Sequence, residues 1–506
     1  MKSKILSLED LAAASAEARA AGRRVAHCHG VFDLLHIGHI RHFQKARAMG
    51  DMLVVTLTSD RYVNKGPHRP SFNENLRAEA LASLDCVDCV AINRRPTAVE
   101  AIRLIRPQFY VKGSDYRRAK DDITGGIRRE KAAVRAAGGR LAFTDDIVFS
   151  SSSLLNQRLP LFPPAVHEYL NGFRRRLGLR AALQPLQAAA DLKVLVIGEA
   201  IIDEYVYCEA IGKSSKEPTL VVRQLERESF AGGALAVANH VAGLGAKVRL
   251  VTFLGAQNSR LGFIKGKLRP NVKPRFLYRA DAPTIVKRRY VEQYHFSKLL
   301  EIYEINDALM DERDGRALRA VLQRELPLYD VVIVVDYGHG MLDDKTIQLI
   351  CRKARYLTVN AQSNAGNIGY HTIDRYPRAD LACLTEAEMR MEARDRRGDL
   401  RRLVPAFSRR TGFRRLLVTR GKSGCLAYDR REGFVEVPAF AGQVQDRIGA
   451  GDAFLSVAAL CDRLGAPLEI SSLVGNAAGA RAVATIGNRD FLEKAALVKH
   501  LESLLK

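Results

Sequence analysis

The run Val25-Ala26-His27-Cys28-His29-Gly30-Val31-Phe32-Asp33-Leu34-Leu35-His36-Ile37-Gly38-His39 passes from an apolar stretch through a glycine turn to two histidines three residues apart. Residues 25–29 have the length and apolarity of a buried strand, and helical periodicity is expected over 40–49. The histidines therefore fall near the start of that helix, on one face. Outward from this stretch the rhythm repeats. Strands expected at 52–58, 89–92, 109–111 and 140–143 alternate with helices expected over 75–84, 98–105 and 126–137. Ahead of them Ser7 opens a helix that Gly22 closes. Such alternation predicts a parallel, doubly wound α/β sheet.

After about Leu155 the pattern breaks at Pro160-Leu161-Phe162-Pro163-Pro164, and a basic, Ala- and Leu-rich helical stretch runs to about Ala190. A second α/β series follows, with strands expected at 192–197, 248–252, 331–335, 356–359 and 416–418. Between the first two of these lie β-rich segments at 219–224 and 284–304, suited to a small sheet over an active site. Three parts are thus expected: a first domain over 1–158, a linker over 159–190 and a second domain over 191–506.

A chain of 506 residues exceeds what one core usually organises, and its 47% hydrophobic content is ordinary for globular proteins. Formal charge is +23, but the arginines are spread through both halves, so anionic small substrates are expected rather than a nucleic acid or a membrane. Eight scattered cysteines and no signal segment point to a reduced, cytoplasmic protein. Cys86 and Cys89 form a C-x-x-C on the approach to a strand, without a second ligand pair at zinc-site spacing, so no metal site is expected in the chain itself.

Paired imidazoles beside helix N–H groups suit a nucleoside triphosphate, because negative charge builds on the α-phosphate as pyrophosphate leaves. Two surface histidines near a helix start are the plainer alternative. A second candidate is Gly449-Ala450-Gly451-Asp452 ahead of an apolar helix: the glycines let backbone N–H groups approach a phosphate, and Asp452 can take a proton from a sugar hydroxyl. The helix dipole is expected to keep that carboxylate ionised at neutral pH. A glycine turn with a capping aspartate is the alternative there.

Further blocks narrow these readings. The 30–39 run, with Thr58-Ser59-Asp60, Lys65-Gly66-Pro67-His68-Arg69-Pro70, Arg77, Val111-Lys112-Gly113-Ser114-Asp115-Tyr116 and the serines at 150–153, resembles the cytidylyltransferase-like family. It is most similar to the adenylyltransferase half of bifunctional ADP-heptose synthesis enzymes. The resemblance implies a Rossmann-like domain in which His36, His39 and Lys65 serve nucleotidyl transfer. It places Gly30, Phe32, Asp33 and Lys112 around nucleotide and acceptor, gives Arg77 a supporting role at the triphosphate, and has Ser150, Ser151 and Ser152 donate to phosphate.

The second half resembles ribokinase-like (PfkB) sugar kinases through Gly198-Glu199-Ala200-Ile201-Ile202-Asp203, Gly232-Gly233-Ala234, Asp336-Tyr337-Gly338-His339-Gly340, Val418-Thr419-Arg420-Gly421 and Asp446 to Asp452. This implies a ribokinase-like α/β domain with a small β lid, Asp452 as base, Gly449, Ala450 and Gly451 as anion loop, and Asp203, Gly232 and Gly233 at the sugar. Three departures stand out. Ala236 occupies a usual asparagine position, so that either Asn239 substitutes for it or the sugar differs; Asn360-Ala361-Gln362 replaces Asp-Pro-Lys; and Ile448 replaces Thr or Gly. Such relatives carry the kinase first, so the order here is reversed. Together the resemblances imply a kinase and nucleotidyltransferase that makes a nucleotide-activated sugar, of ADP-heptose type from heptose 7-phosphate, with Mg²⁺ accompanying ATP (or CTP at the transferase site), and a homodimer. The alternative is a cytidylyltransferase for another phosphorylated sugar or polyol joined to a non-catalytic sugar-sensing module.

Overall fold

A computed structural model describes residues 4–63, 69–113, 126–144, 162–442 and 444–505. The chain divides into two compact units, Met1–Leu170 with Val498–Lys506, and Asn171–Leu497. The break after Leu170 lies within 159–190, where helices Pro164–Arg176 and Gly178–Ala188 form, whereas Val498–Lys506 groups with the first unit although the second domain was expected to run to 506.

In the first unit six strands, β1 (Ile5–Leu6), β2 (Val25–Gly30), β3 (Met52–Thr58), β4 (Cys89–Asn93), β5 (Phe109–Gly113) and β6 (Arg140–Thr144), make one sheet in the order β1-β4-β3-β2-β5-β6. All pairings are parallel. Helices cover such a sheet on both faces, so its central strands read as unbroken apolar runs, and Leu53, Val54, Val55 and Leu57 of β3 are all fully buried. The chain winds outward from β2 in one direction and returns to its other side as β5. The crevice at the carboxyl ends of those two strands is where ligands settle in open α/β sheets. The helix at Leu8–Ala20 is capped by Ser7, which accepts from Asp10 N, and Gly22 follows at φ +73°. Cys86 and Cys89 are unbridged, and Cys89 begins β4.

The second unit holds a nine-stranded sheet and a four-stranded one. Its strands are β7 (Lys193–Gly198), β8 (Ala200–Lys213), β9 (Leu220–Gly233), β10 (Lys247–Gln257), β11 (Val272–Pro283), β12 (Ile285–Glu292), β13 (Ser297–Glu304), β14 (Val331–Asp336), β15 (Leu357–Ala361), β16 (Leu381–Thr385), β17 (Arg415–Thr419), β18 (Cys425–Asp429) and β19 (Gly433–Val437). The large sheet runs β11-β10-β7-β14-β15-β16-β17-β18-β19, parallel except for the β17-β18-β19 meander. The small sheet, β13-β12-β8-β9, is the expected lid. Its strands were foreseen only in part, because β8 and β9 are long ribbons whose outer ends alternate little. The short edge strand β1 and the strands β11, β16, β18 and β19 were not foreseen.

Candidate functional sites

In the first unit the turn after β2 sets the histidines. Phe32 adopts a left-handed φ of +48°, rare for a bulky residue, and its ring packs edge-on against His39 and Phe43. Gly30 leaves the room this needs, since a Cβ there would stand 2.8 Å from Phe32 Cζ. His36 is the N-cap of helix Ile37–Met49, and its Nδ1 accepts from Gly38 N at 3.1 Å. A neutral His36 therefore carries its proton on Nε2, which becomes a donor. The His36 and His39 rings stack with centroids 4.0 Å apart. With no acidic residue in the first turn, the N-terminus of that helix stays suited to an anion.

The neighbouring charges behave differently from expectation. Asp33 is buried and accepts from Ser71 N at 2.5 Å, Phe72 N at 3.3 Å and Arg69 Nη1 at 3.2 Å. It anchors the 69–72 loop instead of lining a pocket. Arg77, also buried, donates Nε to Phe72 O, Nη1 to Val31 O, and Nη2 to Thr58 O and Asp60 Oδ1. Four of its five N–H groups are thus engaged by protein, so it positions the turn and does not itself reach a phosphate. Lys112, near the end of β5, pairs with Glu130 at 3.1 Å and donates to His29 O at 3.4 Å. Lys65, Ser114, Asp115, Tyr116 and the serines 150–153 lie outside the described residues.

In the second unit β7, β14 and the lid converge on Asp452, in the first turn of helix Ala450–Arg463. Tyr337 Oη donates to its Oδ1 at 3.1 Å and Gln362 Nε2 to the same oxygen at 3.2 Å, which leaves Oδ2 for a substrate proton. Burial pushes the Asp452 carboxyl up to about 7; the Asp203 charge adds to that, while the Tyr337 and Gln362 hydrogen bonds and Lys287 oppose it. The expectation of full ionisation at neutral pH is therefore corrected: desolvation outweighs the helix dipole. Glu199, just after β7, is likewise pushed up to about 7 by burial and by Asp336, although the backbone N–H groups of Tyr337 and His339 donate to it.

Gly449 caps the helix at φ +81°, and a Cβ there would lie 2.3 Å from Asn488 Oδ1. Asp446 ties this loop to the lid: Tyr205 Oη of β8 and Lys298 Nζ of β13, the latter at 2.8 Å, both donate to it. Asp203, on β8, faces Arg289 Nη1 of β12 at 2.5 Å. Gly232 makes that placement possible, because a Cβ would sit 2.0 Å from Asp203 Oδ2, and Gly233 turns at φ +57° against Glu199 O. Asn239 does not replace the missing asparagine at 236. It is fully buried, donates Nδ2 to Lys267 O and accepts from Arg269 N, so both ends of its amide hold the 267–269 loop. The residues not foreseen are Tyr337 and Gln362 as holders of the base, and Lys287 and Arg289 of β12. Three consecutive cations, Lys287, Arg288 and Arg289, in the strand-like run from Thr284 to Val291 were the available signal for the last pair, since strand alternation puts the first and third on one face. Among the described residues no group of three or more His, Cys, Asp or Glu side chains could hold a metal ion, and no helix is long and apolar enough to cross a membrane.

Comparison with known proteins follows the same division. Residues 27–158 match the cytidylyltransferase-like family and residues 191–495 the pfkB family of carbohydrate kinases. The bifunctional protein HldE of Citrifermentans bemidjiense is 40% identical over 159 residues, which is 31% of this chain and 31% of that protein. HldE of Geobacter sulfurreducens is 41% identical over 147 residues, 28% of this chain and 29% of that one. The matches thus span under a third of these relatives' length. Phosphofructokinase-2 from Escherichia coli, in a crystal structure with fructose-6-phosphate, superposes with a TM-score of 0.51 at 16% identity, covering 62% of this chain and 100% of that one, a likeness of fold alone. With more than half of its length matched by the kinase family, the chain belongs to the pfkB family of carbohydrate kinases and carries a cytidylyltransferase-like domain ahead of the kinase domain.

Proposed function

We propose that the chain is a bifunctional enzyme in which the second unit phosphorylates a sugar or sugar phosphate with ATP, and the first couples the resulting sugar 1-phosphate to a nucleotide with release of pyrophosphate. The observation that carries the reading is the Asp452 carboxylate, held through Oδ1 beside the Gly449 turn with Oδ2 bound by no donor among the described residues. In the kinase step the acceptor hydroxyl gives its proton to Asp452, and the helix N-terminus stabilises the transferring phosphoryl group. Mg²⁺ would enter with the nucleotide phosphates and neutralise them. In the transferase step His36, His39 and the N–H groups of their helix meet charge developing on the α-phosphate. Resemblance to ADP-heptose synthesis enzymes supports heptose 7-phosphate and ATP as substrates, with the two domains in reversed order relative to those enzymes, in cytoplasmic surroundings suited to unbridged cysteines. Independent folding of residues 1–158 and 191–506 about a linker belongs to the same reading. A homodimer through the lid is supported by exposed Ile211, Leu220, Val221 and Leu225 of β8 and β9 and Leu299, Leu300 and Ile302 of β13.

The closed Arg289–Asp203 pair and the engaged Asn239 favour a second reading, a sugar-sensing kinase-like module joined to a cytidylyltransferase. Mass spectrometry of the purified chain with ATP, CTP and a panel of sugars and sugar phosphates separates the two. ADP and then a nucleotide-sugar are expected; binding of a sugar without ADP formation selects the sensing module.

The pH dependence gives a sharper check. A base must be ionised to accept a proton, and Asp452 is protonated below about 7. Kinase kcat/KM is therefore expected to be level above neutrality and to fall about tenfold per pH unit well below it, with an apparent pKa near 7. A profile flat from pH 5.5 to 8 rejects Asp452 as the base.

A further inference from the structure

Lys287 lies in β12 opposite Asp203 of β8 and Tyr303 of β13. It is 7% exposed, with Nζ 5.0 Å from the Tyr303 ring centre and 5.7 Å from that of Tyr337. Among the described residues its ammonium makes no hydrogen bond and no ion pair, whereas Arg289, two residues on and so on the same face, is bound by Asp203 at 2.5 Å and Glu301 at 2.9 Å. Its aromatic neighbours stabilise a cation only modestly, and a buried unpaired charge is costly. Burial accordingly lowers the Lys287 pKa, with Asp203 and Glu199 opposing and Arg289 reinforcing. A fold that retains such a group has a use for it when an anion arrives.

The surroundings say which anion. One ring against which the ammonium packs belongs to Tyr337, whose hydroxyl holds Asp452, so that a single side chain bridges Lys287 and the base. A phosphoryl group under attack by the acceptor oxygen must lie beside the base, and hence beside Lys287. We propose that Lys287 is a further catalytic residue of the kinase site, donating to the γ-phosphoryl oxygens of the nucleotide during transfer. This rests on the kinase reading above. The acceptor hydroxyl yields its proton to Asp452, its oxygen forms the new bond to phosphorus, the bond from phosphorus to the β-phosphate oxygen breaks and ADP leaves; Lys287 stays protonated throughout.

The test uses full-length wild type, Lys287→Met and Lys287→Arg, titrated calorimetrically with Mg²⁺ and either ADP or adenylyl imidodiphosphate. The transferase site is the same in all three, so differences between proteins report the kinase site. Lys287→Met is expected to bind the imidodiphosphate at least tenfold more weakly, to bind ADP within twofold of wild type, and to show an unchanged or raised thermal midpoint, because an unpaired buried charge has been removed. Lys287→Arg should recover part of the loss. Where an acceptor is turned over, kcat should fall at least tenfold in Lys287→Met. Binding of both nucleotides within twofold of wild type by a folded Lys287→Met overturns the proposal. So does a loss confined to the KM of a phosphorylated acceptor, which assigns the lysine to the acceptor's phosphate. If wild type phosphorylates nothing in the panel, the kinase reading fails and the catalytic role of Lys287 fails with it, whereas turnover by wild type together with unchanged nucleotide binding by Lys287→Met rejects the lysine alone.

Discussion

Asp452→Asn is expected to lower kinase turnover by about a hundredfold or more, the scale of losing a positioned base, or about 2.7 kcal/mol of transition-state stabilisation. Asparagine keeps the shape and can still accept the Tyr337 and Gln362 hydrogen bonds through its own oxygen. It cannot take the acceptor proton on the other atom. ATP binding should survive, since the N–H groups of the Gly449 loop are backbone. Nucleotidyl transfer from sugar 1-phosphate supplied directly should also be unchanged, because the histidines belong to the other unit. ADP release by Asp452→Asn at the wild-type rate means that the base lies elsewhere, Glu199 being the next candidate by its raised pKa of about 7. The acid limb of the pH profile should vanish together with the activity.

Either His36→Ala or His39→Ala is expected to lower nucleotidyltransferase kcat by about a hundredfold or more while kinase turnover persists. Charge appears on the α-phosphate only as pyrophosphate departs, so substrate KM should move much less than kcat. His36 also caps its helix, and losing that cap costs about 1 kcal/mol of stability. His36→Asn separates the two effects, as its side-chain oxygen can accept from Gly38 N but presents no ring N–H. Equal loss in His36→Asn and His36→Ala supports the chemical role. Restored pyrophosphate release in His36→Asn reduces the histidine to a cap, and unchanged release in both alanine variants removes the pair from the reaction.

Much of this arrangement was legible along the chain. Short, mainly apolar and β-branched runs such as 52–58 have the length and composition of strands buried on both faces, and His36, His39, Gly449 and Asp452 are placed by local geometry: a strand end, a turn and the first turn of a helix. Harder to read were residues whose roles depend on what faces them. Arg77, Asp33 and Asn239 have the types expected at a phosphate or a sugar, yet each is turned inward and engaged by backbone groups 19 to 46 positions away. Nothing in their own neighbourhoods marks that engagement.

The sequence by itself determined the two α/β units, their order, the helix starts suited to an anion and the place of Asp452 beside its glycine turn, because these follow from period, turn chemistry and the backbone N–H groups that every helix leaves unpaired. Tertiary structure alone decided the state of the charges. It buried Asp452 and so raised its pKa to about 7, closed Arg289 on Asp203 across two lid strands 86 positions apart in the chain, and left Lys287 of the same strand face without an ion-pair or hydrogen-bond partner among the described residues. The physical reason is that desolvation and Coulomb attraction depend on distance in space and on exclusion of water, and neither is set until the lid lies against the sheet.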